Sequence, residues 1–341
     1  MTIDLGQYLA AVPVALAERI SGAREALIVS HENPDADTLG AALGVARLIE
    51  HYGGRATTVC SDPVPPLYDF LAGVAAERTD PEPNVDYDLL VIVDCGTLER
   101  VGTIGRRHAA LFERLPRVVI DHHLSNPGSG QGSVDWIDPQ AAATCEMVTL
   151  LAARLGVPLD AAGGALATAL MAGIVMDTAT FAHPNATPRT LVVAAALVAA
   201  GAPLSDISRR LYRTKPERQL RLFGRVLQRL ESADDGRVVW SSLLDADLAE
   251  TGTFPADSEG IIDLLAQADA AEVAIIFKEA IGETRISVRT RPGGVDATVL
   301  TGAFGGGGHA RAAGASLALA IEPARTAVLA EARRLAAAVN R

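Results

Sequence analysis

The chain has 341 residues, 49% of them hydrophobic, and a formal net charge of −11. That length predicts two domains, and this apolar content with well-mixed charge excludes a disordered chain. The acidic balance excludes a sequence-independent binder of long nucleic acid, which needs a basic track, but not a small anionic substrate held by metals and a few arginines. Apolar runs are short or interrupted, and even residues 191–200 fall below a membrane span, so no membrane partner is expected. Residues 1–5 lack the basic start and apolar stretch of a signal peptide. Three widely spaced cysteines, Cys60, Cys95 and Cys145, predict neither a disulfide framework nor a zinc ribbon, and a reducing cytoplasm is the expected compartment.

In chain order, residues 1–25 have helical spacing interrupted at Pro13, which predicts a kink or a fresh helix start there. Residues 26–29 form a short apolar run that predicts a buried strand, and 38–48 predict a helix. Between them lie His31, Asp35 and Asp37, on the loop edge where ligands bind in parallel α/β sheets. The plain alternative is a polar loop whose aspartates cap the next helix. A strand is expected at 56–60 and a Pro-rich loop at 62–66. Residues 89–93 and 117–120 are fully apolar and predict central strands, ending at Asp94-Cys95 and at Asp121-His122-His123. Helices are expected at 144–154 and 164–176, the second leading into Asp177. Strands alternating with helices imply βαβ units and a parallel sheet.

Residues 188–231 read as helical and increasingly charged. Beyond them, strands at 237–241, 273–278 and 285–290 with helices at 258–268 and 322–339 predict a smaller α/β domain. Its most distinctive segment is Phe304-Gly305-Gly306-Gly307-Gly308-His309-Ala310-Arg311. The expected division is 1–190 for the larger domain, 191–215 for a helical linker and 216–341 for the smaller domain.

His31, Asp35, Asp37, Asp94, His122 and Asp177 are six potential ligands from four separate segments. Hard carboxylates mixed with imidazole suit Mn²⁺ first and Mg²⁺ or Zn²⁺ less decisively, with Mg²⁺ or Co²⁺ as substitutes for Mn²⁺. Such a set serves two divalent ions roughly 3.5–4 Å apart with one bridging carboxylate. Several carboxylates in one pocket without a metal would repel one another and raise their pKa values.

These segments, taken together and in order, resemble the four motifs of the DHH phosphoesterase superfamily, and residues 305–314 resemble the glycine-rich motif of the associated DHHA1 domain. The resemblance covers nearly the whole chain, and its length and domain make-up fit the oligoribonuclease and 3′-phosphoadenosine-5′-phosphate (pAp) phosphatase branch. It implies that His31, Asp35 and Asp94 hold one metal, and that Asp37, Asp94, His122 and Asp177 hold the other, with Asp94 bridging. It implies that His123 meets the substrate phosphate or the attacking water. The segment from Ser287 through Arg289 and Thr290 to Arg291 resembles a phosphate-binding Ser-x-Arg-Ser pattern, with Thr290 keeping the hydroxyl. Gly306, Gly307 and Gly308 would bring backbone N–H groups to an anion, and His309 and Arg311 would add donors. Two departures from the family pattern, Ala36 and Ala179 where glycine is common, bear on geometry and not on chemistry.

The implied activity is Mn²⁺-dependent hydrolysis of short RNA or DNA oligonucleotides and of pAp, with room for a homodimer. The alternatives are a phosphodiesterase for cyclic dinucleotides or their linear products, an inorganic pyrophosphatase or polyphosphatase, a RecJ-type exonuclease and a non-catalytic nucleotide-binding regulator. The plain reading holds for His51 and His108 as surface residues, His183 as loop structure, Cys95 as a packed residue, and Trp136 and Trp240 as core.

Overall fold

The computed structural model describes residues 3–128 and 133–339. The chain divides into two compact units, Met1–Thr214 and Lys215–Arg341. In the first, five strands, β1 (Glu25–Val29), β2 (Arg55–Val59), β3 (Leu89–Val93), β4 (Arg117–Asp121) and β5 (Ser133–Ile137), form a parallel sheet in the order β2-β1-β3-β4-β5. Its helices are α1 (Val14–Gly22), α2 (Ala36–His51), α3 (Thr103–Arg107), α4 (Ala109–Arg114), α5 (Thr144–Leu155), α6 (Ala165–Asp177), α7 (Pro188–Ala199) and α8 (Leu204–Ser208). Both sheet faces are covered, which is why β3 is apolar at every position and wholly buried. Pro13 stands at the N-cap of α1 after a 3₁₀ turn at Gly6–Ala11, so the proline starts a fresh helix.

The chain reverses its direction of travel across the sheet between β1 and β3, the switch point at which α/β sheets open a crevice. β5 was not foreseen. Its Ser133-Val134-Asp135-Trp136-Ile137 alternates polar and apolar residues, as a strand on the sheet edge does. Val193, Leu197, Ile207 and Leu211, within the stretch expected as a linker, pack into the first unit's core.

The second unit holds a six-stranded mixed sheet in the order β10-β11-β9-β8-β7-β6. Its strands are β6 (Glu231–Ala233), β7 (Val238–Leu243), β8 (Val273–Ala280), β9 (Glu283–Thr290), β10 (Gly307–His309) and β11 (Ala312–Leu317). Its helices are α9 (Glu217–Gln228), α10 (Asp245–Thr251), α11 (Ile261–Leu265), α12 (Ala297–Gly302) and α13 (Ile321–Val339). One face packs on α13 and α12 through Ile275, Phe277, Ile286 and Val288; the other packs on α9 and α11 through Val239, Leu243 and Ile276. Asp247 anchors α10 to α9: it is fully buried, and its carboxylate accepts from Arg225 Nε at 2.9 Å, Arg229 Nη1 at 2.7 Å and Leu244 N at 3.0 Å. Among the described residues no single helix is long and apolar enough to cross a membrane.

Candidate functional site

His31 leaves the end of β1 and Asp94 the end of β3, while His122 and His123 follow β4 and Asp177 closes α6. Asp35 combines the two roles weighed from sequence, one per oxygen. Its Oδ1 accepts from the N–H groups of Asp37 (2.9 Å) and Thr38 (3.1 Å), capping α2, and its Oδ2 lies 3.8 Å from His31 Nε2. Asp94 is 2% exposed and sits in the left-handed backbone region at φ 55°, an outlier that the surrounding packing must hold in place. Its Oδ2 faces His31 Nε2 at 3.5 Å and its Oδ1 faces His122 Nε2 at 3.5 Å. His122 Nε2 also lies 3.2 Å from Asp177 Oδ2. The ligand atoms of His31, Asp35 and Asp94 lie within 4.8 Å of one another, as do those of Asp37, His122 and Asp177. Asp94 also groups with His122 and His123, and so links the two foci.

The electrostatics are those of a frustrated cluster. Burial raises the carboxyl of Asp37 well above the usual range, and Asp177 and Asp94 push it further. Burial raises Asp177 to about 6 and also raises Asp35. Asp94 is the exception: burial works against its charge, but His31, His122 and His123 hold it below its ordinary value. Burial opposes charge on His122 too, yet Asp177, Asp37 and Asp94 hold its imidazole at about 10. His123 is turned by Asp121, whose fully buried Oδ1 lies 2.7 Å from His123 Nδ1 and whose Oδ2 accepts from Asn126 Nδ2 at 2.6 Å.

In the second unit Ser287, Arg289 and Thr290 lie on β9, beside β11 and, one strand further, β10. The glycine run is not a loose anion loop. Residues 307–309 form β10, antiparallel to β11, and a Cβ at Gly306 would lie 2.2 Å from the Gly314 carbonyl. Close strand packing therefore demands glycine at 306, while Gly307 faces open space. The arginines already have acceptors: Arg289 Nε donates to Asp263 Oδ1 at 2.9 Å, and Arg291 Nη2 to the carbonyls of Ala268 (2.9 Å) and Asp269 (2.6 Å). Arg311 donates to the carbonyls of Arg291 and Val295, and His309 is exposed.

Residues 25–174 match the DHH family, N-terminal domain, and residues 235–338 match the DHHA1 domain. A bifunctional oligoribonuclease and PAP phosphatase NrnA from Thermus thermophilus is 32% identical over 85% of this chain and 83% of its own length. The chain belongs to the DHH/DHHA1 phosphoesterases. The Bacillus subtilis protein of the same name is 27% identical over 84% of this chain and 87% of its own. The crystal structure of an exopolyphosphatase-related protein from Bacteroides fragilis shares the fold, with a TM-score of 0.83 at 21% identity, covering 100% of both chains.

The donor set suits the divalent cation that DHH enzymes use. His31 Nδ1 lies 2.7 Å from the Glu32 carbonyl, and His122 Nδ1 3.3 Å from that of Ala141. A carbonyl only accepts, so each Nδ1 carries a proton and each Nε2 is the atom turned toward carboxylate oxygens. Without a cation those carboxylates hold His122 as an imidazolium. A divalent cation would take the place of that Nε2 proton and satisfy the ring and the carboxylates together.

Sequence reasoning missed the groups that hold these ligands. Asp37 is clamped at the start of α5, its two oxygens accepting from Thr144 N (2.6 Å) and Cys145 N (2.9 Å). Thr144 Oγ1 donates to Asp94 Oδ1 at 3.0 Å. Gly173 on α6 makes room, since a Cβ there would lie 2.4 Å from both Asp37 Oδ1 and Cys145 Sγ. Asn185 Nδ2 holds the Asp177 carbonyl at 3.2 Å, and Tyr212 donates to that of Met176 at 2.6 Å. Most of these contacts run through a backbone N–H or carbonyl, and no motif reveals their partners. Cys95 is buried and burial pushes its thiol up to about 12, so it is a packed thiol beside Asp94. His51 is exposed, and Trp136 and Trp240 are buried. His108 is half-buried, with Nε2 2.9 Å from Asp80 Oδ1, and His183 Nδ1 lies 3.2 Å from the Asp177 carbonyl.

Proposed function

We propose that this protein is a cytoplasmic, Mn²⁺-dependent phosphoesterase that degrades very short oligonucleotides to nucleoside 5′-monophosphates and converts pAp to AMP. The observation that carries this reading is buried Asp94, with one oxygen facing His31 and the other facing His122 among the clustered carboxylates. The likeness to an oligoribonuclease and PAP phosphatase supports the choice of substrates.

His31, Asp35 and Asp94 would hold one ion, and Asp37, Asp94, His122 and Asp177 the other, with Mg²⁺ or Co²⁺ as substitutes. Bound there, such ions supply Lewis acidity toward phosphoryl oxygens and lower the pKa of water. Thr144 fixes the carboxylate plane of Asp94, and the α5 amides fix Asp37. His123, with Nδ1 turned to Asp121, presents Nε2 as an acceptor when neutral and as a donor when protonated, suited to the water or a phosphoryl oxygen. Both substrates present the same bond. Water oxygen joins phosphorus, the P–O3′ bond breaks, and the 3′ oxygen leaves with a proton as a hydroxyl. In an oligonucleotide this frees the next 5′-phosphate; in pAp it frees inorganic phosphate. In the second unit Ser287, Arg289, Thr290, Arg291, Gly306, Gly307, Gly308, His309 and Arg311 would orient the remainder of the substrate.

Turnover of labelled oligomers from dimers to decamers, of pAp and of cyclic dinucleotides, with Mn²⁺, tests the reading. Fast cleavage of dimers and pAp, falling steeply with length, is expected. Preference for the longest strands, or for cyclic dinucleotides over dimers and pAp, would replace it.

A further inference from the structure

Four of the six candidate ligands lean on one stretch of chain, residues 138–146. The Ala141 carbonyl lies 3.3 Å from His122 Nδ1. The Thr144 and Cys145 N–H groups donate to the two oxygens of Asp37, and Thr144 Oγ1 donates to Asp94 Oδ1. The Ala142 carbonyl accepts from Asn185 Nδ2 at 3.1 Å, and the same amide group reaches the Asp177 carbonyl. The Asp94 oxygen held by Thr144 is the one that faces His122. The other focus is supported from elsewhere. His31 Nδ1 lies against the Glu32 carbonyl, Cys60 Sγ lies 3.2 Å from the His31 carbonyl, and the α2 amides take Asp35 Oδ1.

A buried ion pair holds the frame. Glu146, in the first turn of α5, is fully buried and reaches back over the start of its helix. Its Oε2 accepts from Ala142 N at 3.2 Å and from Thr190 Oγ1 at 2.8 Å, and its Oε1 accepts from Arg189 Nε. Arg189, in the first turn of α7, also places Nη1 2.9 Å from Asp138 Oδ2. Thr190 is fixed in turn by the capping box it forms with Thr187. The start of α7 therefore grips the frame at both ends, Asp138 and Glu146.

Stability alone does not account for this pair. Desolvation offsets much of what a buried ion pair gains, and apolar residues of similar volume often serve as well. Arg189 Nη2 is also buried with no acceptor among the described residues, which is a further cost. What a planar guanidinium between two carboxylates supplies, and apolar packing does not, is direction. Direction matters where donor atoms must be held to within about 0.5 Å.

We infer that Glu146 and Arg189 are positioning residues for one of the two ions, the one at Asp37, His122 and Asp177, and leave the affinity of the other unchanged. The inference rests on the two-ion reading above and adds that the two sites are supported, and can be weakened, separately. The test is Mn²⁺ titration of the full chain, followed by calorimetry and by electron paramagnetic resonance of unbound Mn²⁺. Asp35→Ser leaves the Asp37 focus as the intact one, and Asp177→Asn leaves the His31 focus. Adding Glu146→Gln to Asp35→Ser should weaken the remaining site about tenfold, the lower end of what residues that position a ligand contribute. Adding it to Asp177→Asn should leave the remaining site unchanged. Arg189→Lys is the second variant, because it keeps a positive charge beside Glu146 and leaves no buried charge unpaired. It loses the fork, and should weaken the same site in the same background by a smaller factor. A pair that only stabilises the fold would lower both sites together or neither. Equal loss in the two backgrounds, or no loss in either, overturns the inference. Wild-type protein that holds fewer than two ions breaks the two-ion reading, and this inference with it, before any variant is compared.

Discussion

In the first unit four carboxylates and two imidazoles are crowded behind three strand ends, and their mutual repulsion is left standing. In the second unit charge is treated the opposite way: nearly every arginine near the expected anion site has an internal acceptor, and Asp247 is fully paired. The first arrangement favours cations and fixes Asp37 and Asp94 by hydrogen bonds from the start of α5. The second pairs its charges within its own fold. Under the proposed function, the chemistry at one bond would fall to the first design and the holding of the rest of the substrate to the second.

The largest effect should come from removing the group both foci share. Asp94→Asn should abolish turnover and lower Mn²⁺ affinity by more than about 100-fold, a loss beyond that of changing a residue that only positions a ligand. Kinetics and metal analysis on one preparation check this. A variant with two tightly held ions would show that Asp94 does not bridge.

A smaller effect should separate the units through their glycines. Gly173→Ala places a methyl group against Asp37 and Cys145, so Mn²⁺ affinity should fall about 10–100-fold and stability by about 1–3 kcal/mol. Gly306→Ala meets only Gly314 and Ala315, so it should disturb the β10–β11 hairpin and leave Mn²⁺ titrations unchanged. Equal metal affinity in the two variants would erase the contrast.

The smallest effect concerns Asp247. Burial alone would raise its carboxyl, but Arg229 and Arg225 overcome this and hold it at about 2. A depressed carboxylate stabilises the fold above its unfolded pKa of about 3.9, and that contribution is lost as pH falls toward the folded value. Asp247→Asn should therefore cost about 1–3 kcal/mol at neutral pH. Its deficit against wild type should shrink between about pH 4 and pH 2, as followed by denaturant unfolding. A deficit independent of pH would mean that the pair is not electrostatic.

The first unit was far more legible than the second. Leu89–Val93 and Arg117–Asp121 declare themselves as buried parallel strands because every middle position is apolar, and each delivers its polar residues where the run stops. β11, with the sequence Ala-Ala-Gly-Ala-Ser-Leu, has too few large side chains to show a period of two, and β10 is two glycines and a histidine. The helix expected over 258–268 shrinks to Ile261–Leu265 because Gly260 takes φ 88° just before it. His31, Asp94 and His122 stood out as candidates because they follow apolar runs. Thr144, Cys145 and Gly173 could not, since two of them act through main-chain N–H groups and the third through having no side chain.

The double duty of Asp35 has a thermodynamic consequence. A carboxylate free in solution must give up its rotamers to bind an ion, a loss of about 0.5–1.5 kcal/mol for an ordered side chain. Here the α2 amides have already collected that entropy during folding, at Oδ1, leaving Oδ2 aimed and waiting. Helix formation and the proposed ion capture would thus share one ordering event. A residue swapped in at 35 that keeps the cap but not the second oxygen, such as serine, would leave α2 intact and take away only the capture.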